Sequence, residues 1–113
     1  MKHILLAMLI SLSATLALAH SKVNTTTPAD GAAVAVMPKA ITLAFAKRIR
    51  LTRVDMIYMD HPAKQLELGD QAGFAANYSV PVQDMGKGPY QIEWRGLGMD
   101  GHAMQGAFTF QVE

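Results

Sequence analysis

Tyr90-Gln91-Ile92-Glu93-Trp94-Arg95 alternates strictly between apolar and polar side chains. In extended backbone successive side chains point to opposite faces, so Tyr90, Ile92 and Trp94 share one face and Gln91, Glu93 and Arg95 the other. Ala107-Phe108-Thr109-Phe110-Gln111-Val112 repeats the pattern, with Phe108, Phe110 and Val112 together. The two segments are separated by a glycine-punctuated loop, and the spacing predicts a hairpin across residues 96 to 106. Their aromatic faces point to a shared core, in which Trp94 is a packing residue rather than a ligand platform.

Upstream, the same reasoning predicts strands over Ala40 to Phe45 and Val54 to Met59, and shorter ones over Lys22 to Thr26, Leu66 to Leu68 and Asn77 to Val82. Between them lie turn signals: Thr27-Pro28-Ala29-Asp30-Gly31, Asp60-His61-Pro62-Ala63-Lys64 and Met85-Gly86-Lys87-Gly88-Pro89. Ala32 to Val36 is small and apolar and is broken by Met37-Pro38. About seven short strands with no helical period predict an all-β sandwich.

Residues 1–19 read as a secretory signal peptide. Lys2 and His3 form a basic start, Ile4 to Leu16 an apolar run, and Ala17-Leu18-Ala19 a small-x-small cleavage site. The apolar run is shorter than the roughly 20 residues a membrane-spanning helix needs. Cleavage after Ala19 makes His20 the first residue of a single domain, 20–113, exported to the periplasm. There is no Cys in the chain, which removes disulfides, thiolate redox chemistry, blue-copper ligation and Cys nucleophiles together. Of the ten Lys and Arg one is Lys2, which leaves nine against nine Asp and Glu after cleavage. A neutral domain gives no argument for nucleic acid. Its one dense run of charge, Lys47-Arg48-Ile49-Arg50-Leu51-Thr52-Arg53, reads as a solvated loop or edge strand, with a docking patch for an anionic partner as the alternative.

A free His20 carries an α-amine beside its imidazole, and these two nitrogens can close a chelate ring on a metal ion. Near the other end, Asp100-Gly101-His102 places a carboxylate and an imidazole two residues apart, on one side of an extended segment. If the first strand runs beside the last, His20 reaches the same point. Three nitrogens and one oxygen suit Cu(II) by ligand type and by geometry, and zinc fits the same ligands tetrahedrally. A structural Asp-Gly turn with no metal is the competing account.

His20, the Thr27 to Gly31 turn, Ile92-Glu93-Trp94-Arg95, and Asp100-Gly101-His102 followed by Gly106, Phe108, Phe110 and Val112 together resemble the periplasmic copper-resistance proteins called CopC-like. The resemblance implies an immunoglobulin-like Greek-key β-sandwich that binds one Cu(II) through His20, Asp100 and His102. It also implies copper storage, delivery or resistance, beside an inner-membrane copper transporter, in a protein expected to be a monomer and not an enzyme. Many members have a Ser-Glu pair after the Phe of the early strand, where this chain has Ala46-Lys47. Some carry a Met-rich loop for Cu(I), and no Met cluster of that density occurs here.

Core packing accounts for Met37, Met56 and Met59. Met59 with His61 forms an alternative soft-metal pair, and Met99 and Met104 flank the Asp100 and His102 ligands as shelter or as soft donors to Cu(I). Two other functional classes stay open: a mono-copper oxidative enzyme with a histidine-brace-like site, and a metal-free immunoglobulin-like interaction module. Asp100 speaks against the first, because a carboxylate ligand fills a position that oxygen chemistry needs vacant.

Overall fold

The computed structural model describes residues 23–71 and 73–113, so the signal segment and His20 lie outside the described residues. Seven strands follow in order: β1 (Val23–Thr27), β2 (Ala32–Val34), β3 (Ala40–Tyr58), β4 (Lys64–Gln65), β5 (Ala75–Pro81), β6 (Gly88–Gly98) and β7 (Ala103–Val112), with no helix among the described residues.

The largest departure from the expected pattern is β3. The segments expected as two strands, with the cationic run as a loop or edge between them, form one strand of 19 residues. Its first part pairs antiparallel with β1 on one side and β5 on the other. From Ile49 onward it pairs with β6, and near its end with β4. The cationic run is therefore strand and not loop, with Ile49 and Leu51 alternating with the charges and buried at 1% and 3% exposure, and over Arg50 to Arg53 it pairs with β6 alone, as an edge would.

This change of partners places β3 in both layers of the sandwich. The facing surfaces meet where Phe45 packs edge-on against Trp94, with ring centroids 5.0 Å apart, and against Tyr78 at 6.3 Å. The Tyr78 hydroxyl lies 2.7 Å from the Ile49 carbonyl, 2.9 Å from the Gly73 carbonyl, and accepts the Leu51 N–H at 3.3 Å. A residue of β5 thus holds the point at which β3 passes between layers.

The β6–β7 hairpin forms as expected, and it is longer than expected, with paired residues from Gly88↔Val112 to Leu97↔Ala103. Tyr90, Ile92, Trp94, Phe108, Phe110 and Val112 are all buried. Gly106 stands opposite Trp94, and a Cβ there would lie 2.7 Å from the indole ring, so the missing side chain is what lets the ring lie against the neighbouring strand.

The first strand does not run beside the last. Strand β1 pairs with β3, and it is β2 that lies along β7, in parallel. The turn between them is tied to β7: Asp30 Oδ1 accepts the Thr109 N–H at 3.0 Å, and the Gly31 N–H, at φ 83°, donates to the Thr109 carbonyl at 2.7 Å. Of the methionines assigned to the core, Met37 and Met56 are buried at 7% and 2%, whereas Met59 is 56% exposed. Its left-handed φ of 51° belongs to the turn that ends β3 and carries the side chain outward.

Replacing Tyr78 with Phe removes the hydroxyl from the crossing point and is expected to destabilise the fold by about 1–3 kcal/mol. Urea unfolding of Tyr78→Phe checks this, and an unchanged midpoint would show that the hydroxyl does not hold the two layers.

Candidate metal centre

Asp100 and His102 are brought together, by a turn rather than by the extended segment expected. Strand β6 ends at Gly98 and β7 begins at Ala103. Between them the Gly101 N–H donates to the Gly98 carbonyl and the Gly98 N–H to the His102 carbonyl, both at 2.9 Å. Gly101 takes φ 87°, a left-handed value that a residue with a Cβ adopts only with strain. Asp100 Oδ1 accepts the His102 backbone N–H at 3.0 Å, and Oδ2 lies 2.9 Å from His102 Nδ1. The carboxylate therefore closes the turn and orients the ring. With Nδ1 in this hydrogen bond, Nε2 is the ring nitrogen left for a metal.

Both side chains face solvent, His102 at 86% and Asp100 at 66% exposure. The His102 backbone N–H, then its ring, hold the Asp100 carboxyl below the usual carboxylate range. A lowered value means that the ionised form is the one the fold favours. The associated stability is present above the unfolded-state value and is lost as pH falls through the folded-state value.

The two residues line a cavity of about 540 Å³ together with Ala46, Lys47, Arg48 and Ile49 of β3 and with Met99 and Met104. Met104 packs partly into the core, and Met99 is 66% exposed. A Cβ at Gly98 would meet Asp100 Oδ1 at 3.0 Å and Met104 Sδ at 3.4 Å, so carboxylate and thioether flank the same glycine. Met59 and His61 lie elsewhere and lean on different neighbours: Met59 Sδ lies over Gly88, and the His61 ring centroid is 5.4 Å from that of Tyr58. Among the described residues no three His, Asp or Glu converge on one point.

The CopC domain family model matches residues 23–113. The chain belongs to the CopC family. It is 29% identical over 107 residues to Copper resistance protein C of Pseudomonas syringae pv. tomato, covering 87% of this chain and 84% of that protein. Copper resistance protein C of Xanthomonas campestris pv. juglandis is 27% identical over 112 residues, covering 91% and 87%. The crystal structure of CopC from Methylosinus trichosporium OB3b superposes with a TM-score of 0.66 at 20% identity, covering 83% of this chain and 94% of that one, and this likeness supports the sandwich architecture.

Nothing in the spacing of the sequence pointed to the Ala46 to Ile49 wall as part of this site. The signal was the contiguity of a strand-patterned run with Phe45, which places those residues in a strand, but its position beside the Asp100 loop depends on the pairing of Ile49 with Gly98. An NMR pH titration is expected to find the Asp100 carboxyl below the ordinary range near 3.9. His102→Ala should move it only part of the way back, since the backbone N–H remains. A full return to the ordinary range would mean that the ring, not the turn, holds the carboxylate.

Proposed function

We propose that the chain is a periplasmic copper-binding protein of the CopC family, cleaved after Ala19, that holds one Cu(II) as cargo for storage, delivery or resistance. The observation that supports this reading is the pairing of Asp100 with His102 beside a cavity toward which β1 is directed. Strand β1 has Val23 paired to Phe45, so its upstream end is directed toward Ala46 to Arg48, which line that cavity with Asp100 and His102. Three residues of extended chain span about 10 Å, which puts His20 within reach of the cavity by length. The approach differs from the one expected, since β1 lies along β3 and not along β7.

The donor set is then the His20 amine and imidazole, His102 Nε2 and an Asp100 oxygen, each of whose oxygens keeps a second lone pair beside its present hydrogen bond. Nitrogen and oxygen donors without thiolate select for Cu(II) over Cu(I). Met99 and Met104 border the site, and they are its only thioether neighbours among the described residues lining the cavity. The relatives are named as copper resistance proteins, and a carboxylate beside the imidazole suits holding the ion more than activating oxygen on it. Binding, rather than catalysis, is the reading this supports, with an inner-membrane copper transporter as the recipient that the family resemblance implies.

Protein beginning at His20 is expected to bind one Cu(II), and an extra residue ahead of His20 should weaken binding by at least about tenfold and change the paramagnetic spectrum, because it removes the free amine. Equal affinity and an unchanged spectrum would take the amine out of the site. His102→Ala should also lower affinity. Protons compete for the nitrogen donors, so affinity should fall on acidification from neutral pH to about pH 4, and a flat profile would overturn this ligand set.

A further inference from the structure

The outer face of the layer formed by β3, β6 and β7 is electrically divided along its length. Toward the Asp100 loop it carries Arg48 and Arg50, which alternate with buried Ile49 and Leu51, then Arg53 and its cross-strand partner Arg95. Lys47 extends the strip to the cavity rim. The β-bulge between Leu51 and Arg53 adds a residue to β3 and turns both Thr52 and Arg53 outward. Farther along the same face come the carboxylates Asp55 and Glu93, a cross-strand pair. From Arg48 to Arg53 the strip runs about 16 Å, from the rise of about 3.3 Å per residue.

Protection of an open edge accounts for charges on β3, which pairs with β6 alone over Arg50 to Arg53, but not for Arg95, which lies on β6 between β3 and β7. Nor are the charges neutralised within the molecule. All nine Asp and Glu of the sequence belong to the described residues, and of the five cations only Arg53 is ion-paired among them, with Asp55 at 2.9 Å. Arg48 donates to the Phe74 carbonyl at 3.2 Å, which fixes its position without removing its charge.

We infer that this face is a docking surface for the acidic face of a partner protein, which it seats beside the rim of the Asp100–His102 cavity. Guanidinium groups form bidentate hydrogen bonds with carboxylates, and rows of them on a rigid sheet are already spaced for a second ordered surface. The carboxylates at the far end favour a protein over an anionic bilayer: a membrane plane is negative throughout and would repel Asp55 and Glu93, whereas a protein can present the opposite charge to each end. The inference goes beyond the copper reading and does not depend on it, since the surface is complete without a metal.

The test uses a capped oligoglutamate peptide as probe, titrated at low ionic strength into metal-free and copper-loaded protein beginning at His20. Wild type is expected to bind it in both forms, with amide shifts centred on Arg50, Arg53 and Arg95 and with affinity falling steeply as salt rises past about 0.1 M, where the screening length is about 10 Å. Arg50→Gln/Arg53→Gln/Arg95→Gln should weaken binding at least about tenfold and leave copper affinity unchanged. Lys39→Gln/Lys64→Gln/Lys87→Gln removes the same charge elsewhere and should bind as wild type. If the triple arginine variant melts early, Arg50→Gln alone carries the test, with a loss of about threefold expected. No peptide binding, equal loss in the two triple variants, or binding to phosphatidylglycerol vesicles in place of the peptide would overturn the inference. A failure of copper binding with peptide binding intact would overturn only the copper reading.

Discussion

A single strand that serves two layers has to be held where it changes partners, and in this chain Tyr78 does so. Its hydroxyl meets backbone atoms of Ile49, Leu51 and Gly73, and its ring packs on Phe45, which in turn meets Trp94 in the other layer. Without cysteine no disulfide ties the two layers, and aromatic contact and this hydroxyl help to hold them in register. The position of the site follows from the same crossing. Because β3 leaves β1 and β5 and joins β6 near Ile49, the residues just before that point face the loop at the end of β6.

The Asp100 loop shows how local chemistry can fix part of a site while leaving the rest to tertiary structure. The turn supplies its own hydrogen bonds, and the carboxylate is lowered by groups two residues away. The Asp100 and His102 pair is therefore assembled by five residues of contiguous chain, Gly98 to His102. The cavity wall is different, since it depends on the pairing of Ile49 with Gly98, 49 positions apart, and the direction of β1 depends on the pairing of Val23 with Phe45, 22 apart.

The hairpin of β6 and β7, the burial of Trp94 and the turn at Thr27 to Gly31 were legible because each is encoded by neighbouring residues: a two-residue period, or Pro, Asp and Gly at set places. A loop was one reading of the cationic run because charge density outweighed the two apolar residues within it. Ile49 and Leu51 kept the strand period through the run, and the bulge after Leu51 absorbed the residue that broke it. Met59 was assigned to the core from its residue type, whereas its backbone conformation at the end of β3 turns it to solvent.

The sequence by itself determined an all-β domain and its aromatic core, since periodicity and turn chemistry act over a few residues. Only the tertiary structure decided that β1 lies against β3 and β2 against β7, and that Lys47 and Arg48 face the Asp100 loop. Edge choice is invisible to periodicity: a strand with one apolar face can bury it against any neighbour that offers one. Which neighbour it meets was settled by the crossing of β3 and by the hydrogen bonds that tie the Asp30 carboxylate and the Gly31 backbone to Thr109.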